Sequence, residues 1–151
     1  MKKQWMILVL LVSFLQAENG MTGYKSRYNV DETTRRLVSI LRENGVTLFK
    51  VVDHAENAKS IGKRLRPMKL VIFGNPKMGT PFMQCSPTMG LDLPQKMLIY
   101  ENNASETMVT YNLPNYLFWR HNVDANCSSR LQKKMNAVLQ KFAKYAAGIK
   151  K

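Results

Sequence analysis

Short runs of β-branched and aromatic residues, each bounded by turn-forming residues, mark the strands of this chain. Residues 46–52 (VTLFKVV) and 69–73 (KLVIF) are such runs, and residues 23–28 (GYKSRY) alternate more weakly, as a first strand does. Residues 96–100 (KMLIY) and 107–111 (TMVTY) flank the polar loop ENNASE and predict an antiparallel hairpin. The pattern therefore predicts about five strands.

Helical periodicity and capping residues fill the intervals between these strands. Asp31 has the chemistry of a helix cap, and the apolar positions after it lead to an Asn-Gly stop at residues 44–45. Asp53 caps a second, short helix that we expect to end near Arg64, and Pro114 opens another. Strands and helices thus alternate early in the chain, and a hairpin with further helices follows.

The clearest helix is predicted at about residues 128–148. Its apolar positions recur on one face and are Leu131, Met135, Val138, Leu139, Phe142, Ala146 and Ile149. The other face is basic and carries Arg130, Lys133, Lys134, Lys141, Lys144 and Lys150. Such a helix either packs its apolar stripe on the core, which we favour, or lies on an anionic surface.

Together these elements predict an α+β fold. We expect a single two-layer domain over residues 18–151, with a mixed sheet of about five strands packed against helices. That length supports one hydrophobic core and is too short for two. No internal repeat or low-complexity linker divides it.

The first 17 residues have the three-part pattern of a secretory signal peptide. Two lysines form a basic start, residues 5–15 are apolar apart from Ser13, and Ala17 supplies a small residue before a cleavage point. The apolar run is much shorter than the roughly 20 residues that a membrane span needs. We therefore expect export, cleavage near residues 17–18 and a periplasmic or secreted location.

The charge of the chain narrows the choice of partners. It carries 23 basic and 10 acidic residues, a net charge of +13. Such an excess often indicates nucleic acid, but an exported protein rarely meets it, so we expect no nucleic-acid partner. A small anion, an acidic partner or an anionic envelope surface fits an exported basic domain better.

Cysteine usage is thin, with only Cys85 and Cys127. Neither belongs to a paired-cysteine motif for zinc or haem. An oxidising compartment allows a disulfide, but the sequence does not show whether the two Cα atoms come within reach. A bridge and two separate thiols are equally open at this point.

A series of short motifs in a fixed order gives the chain a family resemblance. The motifs are DHA at residues 53–55, RP at 66–67, FGNPKMGTP at 73–81, MQ at 83–84, LDLPQK at 91–96, YE at 100–101 and YN at 111–112. Over residues 24–121 the chain resembles the domain-of-unknown-function family 302. The resemblance implies a compact two-layer α/β domain, often dimeric, with no established reaction and no named cofactor.

The stretch at residues 73–85 (FGNPKMGTPFMQC) is the main candidate for a site. It follows a predicted strand, and Thr80 with Pro81 has the chemistry of a helix start. Free N–H groups there, together with the charge of Lys77, would hold a small anion. The alternative is that the glycines and prolines only shape a tight connection. The candidate ligand-binding residues are His54, Arg66, Asn75, Lys77, Gly79, Thr80, Gln84 and Cys85.

Two chemical alternatives use the same region. An envelope enzyme would use His54 or Cys85, although the sequence contains no recognisable motif that spaces a Ser or Cys nucleophile from a histidine base. A copper-type site would gather sulfur ligands and a histidine from Met78, Met83, Cys85, Met89, His54 and His121. Methionine is also a common core filler, so we assign no metal.

Two asparagines lie in the N-x-[ST] pattern that accepts N-linked glycans in exported proteins. They are Asn103 and Asn126, and each has an acidic residue two positions earlier, Glu101 or Asp124, as in the extended bacterial pattern. Asn103 falls in the predicted hairpin loop, where modification is sterically easy. Both are therefore candidate glycosylation sites.

These observations predict an exported binding domain, dimeric if it follows its family, that holds a small anionic ligand or an acidic partner near residues 75–80. An envelope enzyme is the first alternative. A structural envelope protein held by its basic helix is the second, and peripheral contact with an anionic envelope surface would follow from the same helix.

Overall fold

The computed structural model describes residues 19–150, so the predicted leader at residues 1–17 lies outside the described part of the chain. Five strands and six helices follow one another within it. In chain order they are β1 (Met21–Lys25), α1 (Val30–Glu43), β2 (Thr47–Asp53), α2 (His54–Ser60), β3 (Met68–Gly74), α3 (Pro76–Cys85), a 3₁₀ helix (Pro87–Leu91), β4 (Gln95–Glu101), β5 (Thr107–Asn112), α4 (Pro114–Arg120) and α5 (Ala125–Ala146).

The five strands form one sheet in the order β1-β5-β4-β3-β2. The predicted α+β class with five strands is confirmed, but the expected mixed sheet is wrong, because every neighbouring pair is antiparallel. Two parallel neighbouring strands need a crossover connection that carries the chain from one end of the sheet back to the other. Here α2 is only seven residues long and follows β2 directly, so the chain re-enters the sheet from the end at which it left.

The core lies between one face of the sheet and helices α1 and α5. The buried residues that the strands contribute include Val71, Phe73, Met97, Ile99 and Val109. Those that the two helices contribute include Leu37, Leu41, Met135, Leu139 and Phe142. Alternate residues along each strand therefore face the helices, and the apolar stripe of α5 packs on the core as we expected.

The opposite face of the sheet carries a second set of apolar side chains. Leu70, Leu98 and Tyr100 alternate with the core residues along their strands, are half-buried and lie outside the core cluster. Leu70 pairs with Leu98, and Tyr100 pairs with Met108 in β5. We call this surface, which crosses β3, β4 and β5, the open sheet face.

The residues that cap α1 and α2 confirm one predicted helix start and correct the other. Asp53 caps α2 as predicted, but that helix ends at Ser60, earlier than expected. The expected cap of α1 at Asp31 is wrong, because Asn29 takes that place and its side-chain oxygen accepts the Glu32 N–H at 2.8 Å. Asp31 lies in the first turn instead, where a negative charge suits the positive end of the helix.

Candidate functional site

The stretch after β3 enters α3 directly. Asn75 is the N-cap and Pro76 the first residue, so the predicted helix start at Thr80 and Pro81 is wrong. Asn75-Pro76 has the same cap-and-proline chemistry and comes first after the strand, so the helix begins there. Pro81 lies inside the helix, where it has no N–H to donate to the Lys77 carbonyl.

The N–H groups at this helix start are already used within the turn. The Lys77 N–H donates to the Asn75 side chain at 2.9 Å. The N–H groups of Met78 and Gly79 both donate to the Asn75 carbonyl, each at 2.9 Å. The anion-binding hypothesis depended on free N–H groups at a helix start near Thr80. Because the N–H groups at the observed start are bonded, only the charge of Lys77 still supports an anion at this turn.

An apolar cavity of about 330 Å³ lies beneath α3, at one end of the sheet. Its walls come from α3, α5 and the ends of β2, β3 and β4. The apolar residues that line it include Phe49, Phe73, Met78, Met83, Leu139 and Phe142, and the polar ones are Asn75, Thr80 and Gln95. Phe49 is 53% exposed, so the cavity reaches the surface beside it.

The structure divides the predicted binding residues among three places. Asn75, Gly79 and Thr80 line the cavity. Three more belong to α3 without lining the cavity, namely Lys77, Gln84 and Cys85. The last two lie at the opposite end of the sheet, His54 after β2 and Arg66 before β3. The predicted set is therefore not one site, although its centre at residues 75–80 falls on the cavity.

The apolar wall is the part that sequence reasoning missed. Phe142 belonged to the predicted stripe of α5 and Phe49 to a predicted strand, but no spacing along the chain shows that both meet α3. Met78 and Met83, considered above as copper ligands, line this wall. Apolar residues on a strand end and on a helix stripe are the common signature of a core, so the sequence holds no separate signal for a cavity.

Cys85 and Cys127 form a disulfide, which decides between the two states that the sequence left open. Their Cα atoms are 6.0 Å apart, an ordinary separation for a bridge. The bond joins the last residue of α3 to the first turn of α5, the two helices that wall the cavity. As a bridged sulfur, Cys85 offers neither a nucleophilic thiolate nor a thiolate ligand for copper.

His121 is the centre of a polar chain beside the disulfide. Its buried ring lies with Nε2 2.7 Å from Asp92 Oδ2 and Nδ1 2.9 Å from Thr88 Oγ1. The Ser86 hydroxyl donates to the His121 carbonyl at 3.0 Å. These bonds fasten the 3₁₀ helix to the end of α4. A hydroxyl, an imidazole and a carboxylate also occur together at nucleophilic sites, but His121 and Thr88 do not line the cavity.

The other end of the sheet holds a charged groove of about 460 Å³. Lys69 of β3 lines it, with Nζ 2.6 Å from Asp31 Oδ1 and 3.4 Å from Asp53 Oδ2. The hydrogen bond with Asp31 raises the pKa of Lys69. The backbone N–H of Glu56 lowers the pKa of Asp53, and Lys69 adds to this effect. Lys69 and the two carboxylates beside it thus stabilise one another.

Comparison with known proteins gives a family and a fold. A family model described as "Domain of unknown function DUF302" matches residues 22–142. The crystal structure of an uncharacterized conserved DUF302 protein from Bacillus stearothermophilus is similar over 85% of this chain and 98% of that chain, with a TM-score of 0.75. The two sequences are 19% identical, so the likeness shows the fold alone.

Curated relatives extend well beyond the region that they share with this chain. "Fluoride-specific ion channel FluC 1" of Brucella suis biovar 1 (strain 1330) is 37% identical over 131 residues, which are 87% of this chain and 51% of the relative. The protein of that name from Brucella abortus biovar 1 (strain 9-941) has the same identity, and 48% of it is covered. The chain spans about half the length of these relatives. Within residues 19–150, no helix combines the length and the apolarity that a membrane span requires.

Proposed function

The chain belongs to the DUF302 family, and from this premise we propose that it is an exported binding domain for a small ligand with an apolar body and an anionic end. The apolar body occupies the cavity beneath α3. The anionic end lies at the rim of the cavity, close to Lys77. The site near residues 75–80 and the anionic character of the ligand come from the sequence analysis. The apolar body of the ligand is added because the fold forms an apolar cavity there.

The apolar cavity is the observation that carries the proposal. Its volume of about 330 Å³ falls in the range of small-molecule pockets, roughly 300–1,000 Å³. Such pockets are mostly apolar, with a few polar groups that orient the ligand, and here three lining side chains are polar. Protein interiors are otherwise close-packed, so an apolar space of this size favours a binding role.

The position of Lys77 supports an anionic end. Lys77 stands between Pro76 and Met78, both of which line the cavity, and its side chain is exposed. Among the described residues it has no carboxylate within ion-pair distance, as is true of most described lysines apart from Lys25, Lys59 and Lys69. A ligand carboxylate at the rim would therefore gain a charge-assisted hydrogen bond without breaking an existing ion pair.

A homologous series of ligands tests both parts of the proposal. Straight-chain carboxylates of increasing length should bind more tightly by about fourfold per methylene, the effect of burying one CH₂ group, until the cavity is full. Saturable chemical-shift changes around Thr80 would measure this. Lys77→Ala should weaken carboxylates by about fivefold, the loss of one charge-assisted bond, and leave alcohols of equal length unchanged.

A matched control makes the test specific. Lys63→Ala removes a lysine at the charged groove, at the opposite end of the sheet, and should leave carboxylate binding unchanged. Equal loss in both variants would reduce the role of Lys77 to general charge attraction. Absence of saturable shifts with every carboxylate and every alcohol would reject the cavity as a binding site.

Compartment and partners belong to the same proposal. Export through the predicted leader would place the cavity outside the cytoplasm, and intact-mass analysis of protein from envelope extracts should show the loss of residues 1–17. The predicted homodimer would bury the open sheet face, whose apolar side chains lie outside the core. The exposed lysines of α5 would provide the predicted contact with an acidic partner or an anionic envelope surface.

A second candidate function follows from the curated relatives. Their printed name describes a fluoride-specific ion channel, and this chain matches about half of their length. We infer that a domain of this type acts beside such a channel as its partner, with the channel in the half that this chain does not match. Fluoride efflux from vesicles that hold the unmatched half of the Brucella suis protein should then change when this chain is added. Unchanged efflux would contradict the partnership.

A further inference from the structure

We propose that Asn103, and not Asn126, is N-glycosylated on the folded chain. The donor is a lipid-linked oligosaccharide, and the acceptor is the side-chain amide nitrogen of Asn103. In the transfer, this nitrogen forms a bond to the anomeric carbon of the sugar while the bond from that carbon to the lipid diphosphate breaks. The polyprenyl diphosphate leaves with the electron pair, and the amide loses one proton to a base of the transferase.

The hairpin presents Asn103 without involving its side chain in the fold. Asn103 lies between the end of β4 and the start of β5, is exposed, and makes no hydrogen bond to any residue from 19 to 150. Its neighbour Asn102 holds the turn, since its side-chain oxygen accepts the N–H groups of Ala104 and Glu106, each at 2.9 Å. A glycan on Asn103 therefore leaves the bonds of the turn intact.

The two side chains that flank Asn103 in the acceptor pattern are also accessible. Arg66 contacts both of them, with Nη1 3.0 Å from Glu101 Oε1 and 3.3 Å from Ser105 Oγ. Arg66 is 47% exposed and Glu101 30% exposed, and surface ion pairs of this kind contribute little stability. A transferase can thus displace Arg66 and bind the carboxylate and the hydroxyl at small cost.

The second acceptor pattern has the same chemistry but is part of a helix. The Asn126 N–H donates to Asp124 Oδ1 at 2.8 Å, so the acidic residue of this pattern is the N-cap of α5. The Cys127 N–H donates to the Asp124 carbonyl at 3.1 Å, and Cys127 is bridged to Cys85. To bind the backbone here, a transferase would have to open the first turn of a 22-residue helix that carries the disulfide. At the hairpin it would have to open only the exposed turn in which the Ser105 N–H donates to the Asn102 carbonyl at 3.0 Å.

Transfer to the purified full chain tests the proposal independently of export. The chain is incubated, folded and oxidised, with a bacterial oligosaccharyltransferase that uses the acidic extended pattern and with its lipid-linked oligosaccharide. Peptide mass spectrometry then measures the occupancy of each asparagine. We expect Asn103 to be modified at least about fivefold faster than Asn126, the factor by which a single N-cap reduces the population of an opened first turn.

Two synthetic peptides, residues 99–107 and 122–130, show what each pattern does without the fold, and both should be modified. Asn103→Gln and Ser105→Ala should each abolish the modification of the folded chain, whereas Asn126→Gln should preserve it. Circular dichroism checks that these variants fold. The proposal is overturned if the folded chain is modified at Asn126 as fast as at Asn103, if Asn103 stays unmodified, or if the transferase accepts neither peptide.

Discussion

The two ends of the sheet hold spaces of comparable size and opposite chemistry. The cavity beneath α3 is apolar, whereas the groove beside Lys69 is lined by charged residues, most of which form ion pairs, namely Lys69 with Asp31 and Asp53, and Lys59 with Glu56. A charge that already has a partner gains little from a ligand, while apolar surface in an unfilled space gains from any apolar occupant. The contrast is why the proposed ligand is placed at the apolar end, although the sequence is rich in charge.

The two ends also differ in how the chain closes them. At the apolar end, α3 is fastened by a disulfide to α5, and the His121 chain fastens the adjoining 3₁₀ helix to α4. At the charged end, α2 has no buried residue. Its N-cap Asp53 forms an ion pair with Lys69 of β3, and its other ion pair, between Lys59 and Glu56, lies within the helix. The free energy of unfolding should therefore respond strongly to changes at the first end and weakly to changes at the second.

Replacement of Phe82 should give the largest effect. Phe82 is 1% exposed, and its ring centroid lies 5.1 Å from that of Phe118. Phe82→Ala should lower the free energy of unfolding by about 3–5 kcal/mol, measured by chemical denaturation. Leu65→Ala at the charged end is the matched control, because Leu65 is 51% exposed and its loss should cost less than about 0.5 kcal/mol. Equal losses of unfolding free energy in the two variants would contradict the expected difference between the two ends of the sheet.

Removal of the disulfide should come next. Replacing both Cys85 and Cys127 by serine frees the closed loop in the unfolded chain and should lower the free energy of unfolding by about 2–4 kcal/mol. In the native protein, alkylation without reductant should label neither cysteine. Labelling of both would show two free thiols and would return Cys85 to the list of candidate nucleophiles.

The cap of α2 tests the charged end. Asp53 accepts the Glu56 N–H at 2.9 Å, so Asp53→Ala should cost about 1 kcal/mol. Asp53→Asn keeps an oxygen for the cap and loses only the ion pair with Lys69, so it should cost less. Equal losses in Asp53→Asn and Asp53→Ala would show that the ion pair, which both variants lose, and not the cap holds this end.

The same carboxylate gives the charged end a pH dependence of known sign. The pKa of Asp53 is lowered in the folded chain. Its contribution to the free energy of unfolding is therefore fully present at pH values above the ordinary pKa of aspartate, about 3.9. It is lost as pH falls through the lowered folded pKa. The free energy of unfolding, measured at several pH values in this acidic window, should therefore fall less with decreasing pH for Asp53→Ala than for the natural chain. An equal fall in both proteins would contradict the role assigned to Asp53.

Gly79 offers the smallest and most specific test. A Cβ placed there would lie 3.8 Å from Leu93 Cδ1, an ordinary contact, and Gly79 sits inside α3. Gly79→Ala should therefore stabilise the protein by about 0.5–1 kcal/mol through helix propensity. Gly148→Ala is the opposite case, since Gly148 has φ +73° and a Cβ there would lie 2.6 Å from the Tyr28 ring. Destabilisation by Gly79→Ala would show that α3 needs its glycine.

Several signals that act within one or two turns of the chain were read correctly from the sequence, although the cap of α1 is Asn29 and not the predicted Asp31. The cap of α2 at Asp53, the hairpin around residues 101–106 and the apolar stripe of α5 each depend on neighbouring residues. The prediction failed where two equal signals compete, as Asn75-Pro76 and Thr80-Pro81 do. Both pairs can start a helix, and the nearness of the first pair to the end of β3 decided between them.

The amino-acid sequence by itself determined the elements, their apolar faces and the α+β class, because hydrophobic periodicity and capping act locally. Only the tertiary structure decided the direction of the strands, the bridge between Cys85 and Cys127, and the meeting of Phe49 with Phe142 across the cavity. Each of these joins residues that are far apart in the chain. Their separation in space depends on how all the elements pack together, so no local pattern contains it.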